Sequence, residues 1–156
     1  MVESAPIVLS VTPDASPGAG DTAGVRSVVV DGNNVMGTRP DGWWRDRPGA
    51  ARRLLARVQC WARGHDGPVV LVLDVPQADL PEGDHGGVAV RYATRRGRDA
   101  ADDRIVALVE DGEAAGLAPP VEVVTSDRAL AARAEARGAV VVGARAFLDR
   151  LDAAGC

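Results

Sequence analysis

From Val25 onward the chain alternates short apolar blocks with longer stretches of mixed spacing. Ser27-Val28-Val29-Val30 is brief, apolar and β-branched, the pattern of a strand buried on both faces. It ends at Asp31-Gly32-Asn33-Asn34, which reads as a turn into a loop punctuated by Gly37, Pro40 and Gly42. Pro48 suits the first turn of a helix, and Leu54, Leu55, Val58 and Trp61 then recur at helical spacing, a core face that runs to the stop at Gly64. Val69–Leu73 is a second buried strand, ending at Asp74. The polar stretch 76–87 predicts a loop with at most one helical turn, and Val88–Tyr92 a third, shorter strand. From Asp99 to about Ala115 the spacing predicts a helix with Ile105, Leu108 and Val109 on one face. Val121–Val124 is a fourth strand running into Thr125-Ser126-Asp127. A helix to Gly138, a strand over Ala139–Val142 and a last helix around Ala146–Leu151 complete the pattern. Strand–helix alternation with near-continuous apolar strands predicts a doubly wound α/β domain. Its sheet is mainly parallel, of about five strands, with helices on both faces.

Residues 1–24 differ in kind: small, rich in Pro and Gly, with three acids and no base, they read as a disordered arm ahead of a domain over 25–156. Gly18-Ala19-Gly20 through Ala23 fits a dinucleotide-binding string, but that motif must follow a strand and open a helix. Here a strand follows it instead, so no nucleotide cofactor is expected.

Composition narrows the chemistry. A chain of 156 residues, 46% hydrophobic, suits one domain with a real core. No run of 18 apolar residues predicts a membrane span, and no basic region precedes the N-terminal apolar patch as a secretory signal requires. Cys60 and Cys156 lie far apart and form no C-x-x-C, which reads as two reduced thiols of a cytoplasmic protein. His65 and His85 show no metal-ligand spacing. All 18 basic residues are arginine. The absence of lysine excludes P-loop hydrolysis, Schiff-base chemistry and receiver-type phosphotransfer, each of which needs that amine.

Ligands of open α/β sheets bind beyond the carboxyl ends of the strands, where the strand order reverses. Three strands here end in acids, Asp31, Asp74 and Asp127, and Asp99, Asp102 and Asp103 open the helix after strand three. Asp102 lies three residues before Ile105, on the edge of the buried face, whereas Asp103 falls nearer solvent. In such a fold Asp31, Asp102 and Asp127 converge. Clustered carboxylates repel and raise one another's pKa unless a cation joins them. All-oxygen ligation without His or Cys selects Mg²⁺ or Mn²⁺, and such an ion can activate water and neutralise charge on a phosphodiester. Each acid also has a structural alternative. Asp31 and Asp74 are good turn residues, Asp99 and Asp102 fit a helix cap three apart, Asp103 favours the helix dipole, and Asp127 could cap the next helix.

The strings VVVDGNNVMG at 28–37, LVLDV at 71–75, GRDAADDRI at 97–105 and VVTSDRAL at 123–130 resemble, in order and spacing, the YacP-like branch of the NYN nucleases, relatives of the PIN-domain ribonucleases. The similarity spans roughly residues 25–154. It implies a PIN-like sheet, a Mg²⁺ or Mn²⁺ site and endonucleolytic cleavage of single-stranded RNA, ribosome-associated mRNA included. Asp31, Asp102 and Asp127 would then hold metal directly or through water, with Asp74 and Asp103 as further candidates. Asn34 and Ser126 would orient water or phosphate. Asn33 departs from relatives, which often carry an aromatic there.

Arg39, Arg45, Arg47, Arg52 and Arg53 follow strand one, and Arg91, Arg95, Arg96 and Arg98 lead to Asp102, so both groups could track phosphates. Trp43 and Trp44 offer base stacking or packing. The net charge of −4 is no obstacle to RNA. Without the arm, 19 acids face 18 arginines. Setting aside Asp31, Asp74, Asp102, Asp103 and Asp127 leaves 14, a balance of +4. Two rivals stand beside the nuclease: a non-catalytic RNA- or ribosome-binding adaptor with the same fold, and a phosphatase. The latter needs a second aspartate two residues after the first, where this chain has Asn33, and a lysine.

Overall fold

The computed structural model describes residues 26–156; the arm assigned to 1–24, with its dinucleotide-like string, lies outside the described residues. The elements are β1 (Ser27–Asp31), α1 (Gly32–Met36), α2 (Arg47–Ala62), β2 (Val69–Leu73), β3 (Gly83–His85), β4 (Val88–Tyr92), α3 (Ala100–Asp111), β5 (Val121–Val124), α4 (Arg128–Glu135), β6 (Val140–Val142) and α5 (Ala144–Ala153), with short 3-10 turns at Trp43–Arg45 and Gly112–Ala115. They form a mixed α/β fold around one six-stranded sheet in the order β3-β4-β2-β1-β5-β6. Every pairing is parallel except the β3–β4 edge.

β1 is a central strand because it is apolar on both sides. Val28 and Val30 face a core built with α1, α2 and α5, including Leu54, Leu55, Val58, Phe147 and Leu151. Val29 faces the opposite core, where Ile105, Val109 and Leu130 come from α3 and α4. From β1 the chain adds β2 and then β4 on one side, and returns to add β5 and β6 on the other. The reversal therefore lies between β1 and β5, where the topological rule places a ligand.

Four local expectations need correction. The sheet has six strands, because 76–87 is not all loop: Gly83–His85 pairs with β4 through a hairpin at Gly86 and Gly87, both at positive φ. Its polar residues hide it from an apolar pattern, although the Gly-Gly pair was a hairpin signal. Second, Asp31-Gly32-Asn33-Asn34 is no open turn; the chain enters α1 directly, with Asp31 as N-cap. Gly32 permits this, since a Cβ there would lie 2.7 Å from Leu73 Cδ2 and 2.8 Å from the Val72 carbonyl oxygen. Third, α3 ends at Asp111 rather than near Ala115, and Asp99, at φ 65°, makes no side-chain cap bond. The Asp99–Asp102 capping arrangement does not form.

The fourth concerns the cysteines. Cys60 on α2 and Cys156 form a disulfide, with their Cα atoms 5.7 Å apart across 96 residues of sequence. α2 and α5 pack on the same sheet face, so the chain after α5 returns to α2, where Arg57 Nε donates to the Cys156 carbonyl at 2.9 Å. Sequence distance concealed a proximity that only the packing creates. Trp61 is half-buried, packed against the core rather than enclosed in it. No helix of the described residues is long and apolar enough to cross a membrane.

Candidate active site

The parallel register assembles the site. Val30 of β1 pairs with Val124 of β5, so Asp31 and Thr125, each one residue further on, leave the sheet side by side. Thr125 Oγ1 donates to Asp31 Oδ2 at 2.9 Å, and the Asp127 amide donates to Thr125 Oγ1 at 3.1 Å. The Asn34 amide reaches Asp31 Oδ1 at 3.4 Å, closing α1. Asp31 is 4% exposed and has no arginine partner among the described residues. Burial pushes its carboxyl up to about 6; the Thr125 hydrogen bond opposes this, and the charges of Asp102 and Asp127 push the same way.

Asp102 arrives from the other direction, in the first turn of α3. Its carboxyl is raised by desolvation first, then by Asp127 and Asp99, against the pull of Arg133. Asp127 caps α4, its Oδ1 accepting from the Leu130 amide at 3.0 Å. Asp31, Asp102 and Asp127 thus feel one another's charge across the β1–β5 reversal.

The remaining acids sit apart from this trio. Asp103 turns outward, holding Arg95 and, at 2.9 Å, Arg133, and those guanidiniums keep its carboxyl below the ordinary range. Asp74, at the end of β2, is locked by Asn33: Asn33 Nδ2 donates to Asp74 Oδ1 at 2.9 Å, and the Asp74 amide to Asn33 Oδ1 at 3.0 Å. Asn34 and Ser126 brace the backbone. Asn34 Oδ1 accepts from the Ser126 amide at 2.7 Å, and Ser126 Oγ accepts from the Ala144 amide at 2.9 Å, tying the ends of β1, β5 and β6 together. Asn34 Nδ2 makes no hydrogen bond among the described residues, so this donor is available to a ligand.

A divalent cation suits this donor set, although no ready coordination group of three His, Cys, Asp or Glu is gathered among the described residues. All the donors are oxygens. Asp102 has neither hydrogen bond nor ion pair among the described residues, Asp127 keeps one oxygen unengaged, and a cation would offset the desolvation and the repulsion that together raise Asp31 and Asp102.

Of the candidate RNA contacts, Arg39 pairs with Asp152 at 3.1 Å and Arg95 with Asp103, while Arg96 and Arg98 are exposed without an ion pair among the described residues. Trp43 packs on the core beneath Arg47, and Trp44, 53% exposed, stands edge-on to it with Arg45 over its ring at 5.9 Å. Sequence reasoning assigned no role to Thr125, which holds Asp31, or to Arg133, the cation beside Asp102 and Asp103. The hydroxyl two residues before Asp127 was a usable signal; Arg133 gave none.

Residues 28–155 match the family described as the YacP-like NYN domain. Two crystal structures of Rae1 (YacP) from Bacillus subtilis share the fold. One, of a tryptophan-to-leucine mutant, aligns at 23% identity and TM-score 0.64 over 84% of this chain and 77% of that one. The other aligns at 23% identity and TM-score 0.64 over 82% and 74%. No curated protein matches the sequence significantly.

Proposed function

The chain belongs to the YacP-like NYN domain family, and from that premise we propose that it is a metal-dependent endoribonuclease that hydrolyses phosphodiester bonds in single-stranded RNA. The observation that carries the proposal is Asp31: a carboxylate 4% exposed, pushed up to about 6, with Asp102 and Asp127 instead of an arginine for company. In a protein with 18 arginines, a buried acid left without one among the described residues supports a site for an external cation.

Asp31, Asp102 and Asp127 would hold that cation. Bound Mg²⁺ or Mn²⁺ would lower the pKa of a water and stabilise charge on the phosphodiester. The protein's own groups do the rest. Thr125 fixes the Asp31 carboxylate, and the Asn34–Ser126 bond keeps the β1 and β5 ends in register. Asn34 Nδ2 donates to a phosphate oxygen, Arg96 and Arg98 attract the backbone, and the exposed face of Trp44 stacks on a base. Unpaired bases are required for that stacking, which favours single strands.

The adaptor reading draws on the helix-capping duties of Asp31 and Asp127, which need no metal. One assay separates the two. Wild type with Mn²⁺ is expected to cleave RNA endonucleolytically, and Asp31→Asn and Asp127→Asn to abolish cleavage. Unchanged cleavage by both variants overturns the site, whereas RNA binding without cleavage by wild type selects the adaptor.

A further inference from the structure

Between α1, the start of α2 and the end of β2 lies a cavity of about 240 Å³. Met36, Leu73 and Val75 make it mainly apolar, and Asn33, Arg47, Asp74 and Gln77 add its polar groups. It is smaller than the clefts of roughly 300–1,000 Å³ that enclose whole ligands, so it suits a single ring system.

Two of its acceptors are left unpaired among the described residues. The reciprocal Asn33–Asp74 pair uses the Asn33 oxygen and fixes both side chains. Asp74 Oδ2 has no donor among the described residues, and Gln77 Oε1 is buried without a hydrogen-bond partner. A ligand seated against Asp74 and Gln77 must bring donors to that side, because an unpaired buried acceptor is costly and an acceptor set against a carboxylate is costlier. Guanine presents two adjacent donors, N1–H and the 2-amino group, as a fork that one carboxylate can accept. Uracil places a carbonyl on each side of its single N–H, and adenine and cytosine set an unprotonated ring nitrogen beside their amino group. Across the Val75–Pro76 ridge a larger groove, about 650 Å³, is lined by Asp74, Arg95 and Arg96. Its arginines suit phosphate, so the cavity adjoins a path for a strand and is not an isolated hole.

We propose that this cavity is a nucleobase subsite that selects guanine in the bound RNA strand, with Asp74 as the residue that determines the choice. The inference deepens the ribonuclease reading and rests on it. Asn33 follows Asp31 by two residues on α1, so a base seated against Asn33 and Asp74 and a phosphate at the acids belong to one short stretch of RNA.

Two measurements test it. The first uses the full chain, isotopically labelled, in EDTA, titrated with GMP, IMP, AMP, CMP and UMP. GMP is expected to shift the side-chain amide signals of Asn33 and Gln77 and to bind at least about 10-fold more tightly than AMP or UMP. IMP, which lacks the 2-amino group, should fall between. Asp74→Asn, which sets a donor against the donors of guanine, should remove the preference. Gln77→Leu, which leaves the Asn33–Asp74 pair intact, should weaken it and guards against a misfolded Asp74 variant. Equal affinities, or unshifted Asn33 and Gln77 signals, overturn the proposal. The second replaces each guanosine of a cleaved RNA with inosine. Wild type should lose cleavage at the affected bond, by less than adenosine at the same position causes, and Asp74→Asn should be indifferent. Cleavage without guanine dependence, alongside no GMP binding, sinks the subsite and leaves the nuclease standing. GMP binding as described, with no RNA cut by wild type, sinks the nuclease and leaves a guanine site.

Discussion

Two buried acids on neighbouring strands are treated in opposite ways. Glu122, near the amino end of β5, is 2% exposed and lies between Arg26 Nη1 at 3.1 Å and Arg150 Nη1 at 2.7 Å. Arg150 in turn rests over the rings of Trp61 and Phe147, at 5.8 Å from each. Asp31, at the carboxyl end of β1, is 4% exposed and among the described residues receives only the Thr125 hydroxyl and a backbone amide. The first arrangement compensates its charge within the protein; the second leaves charge uncompensated and surrounds it with more. Stability is built at one edge of the sheet and withheld at the other, which is where function is sought.

The largest expected effect breaks the comparison at its functional end. Asp31→Asn should lower cleavage by more than about 100-fold, since even outer-shell partners of a metal site contribute about 10–100-fold. The same variant should melt no lower, and in EDTA above pH 7 should melt higher, than wild type. Glu122→Gln should do the reverse. Leaving two arginines facing a neutral amide is expected to cost about 3 kcal/mol in urea unfolding, the low end for a broken buried pair because both arginines keep contact with water. Cleavage per folded molecule should be unaffected. Equal stability losses in the two variants would dissolve the contrast.

The pH dependence sharpens it. Asp31 sits at 3.8 unfolded and about 6 folded, so the native state binds the proton more strongly. The contribution of Asp31 to metal-free stability should therefore be fully present below about pH 4, decline through pH 4–6 by up to about 3 kcal/mol, and flatten above. Asp102, also raised, adds to the same slope. Unfolding free energies in EDTA, taken as wild type minus Asp31→Asn at each pH, should show the decline. Adding Mn²⁺ at neutral pH should restore about 2–3 kcal/mol at 100-fold excess over its Kd, in wild type only. Smallest is Trp44→Ala, which should weaken single-strand binding by about 1 kcal/mol, the low end for a stacked base, without moving the melting temperature.

The fold was legible because its information is local. Val28–Val30, Val69–Leu73 and Val121–Val124 announce buried strands, and the three acids that follow or approach them mark the switch edge. What escaped depends on packing or on polar residues. Gly83-Asp84-His85 carries no apolar side chain to announce a strand, and α1 exists because Gly32 can press against Leu73. The separation of Asp102 from Asp103 followed from helix geometry, but the capture of Asp103 by Arg95 and Arg133 did not, because Arg133 comes from a helix 30 residues later. The Asn33–Asp74 pair spans 41 residues and has no sequence signature. Backbone patterns are written residue by residue; the partners of polar side chains are written by the assembled fold.

The Cys60–Cys156 bridge gives the molecule a mechanical asymmetry. Tension applied between residue 26 and residue 156 passes from Cys60 straight across to Cys156 and bypasses residues 61–155 between them. That shielded ring holds Asp102 and Asp127, while β1, α1 and Asp31 lie on the short length that carries the load. Pulled, the protein would surrender its central strand and one third of its acid trio first, with roughly 330 Å of contour kept in reserve until the bridge is reduced.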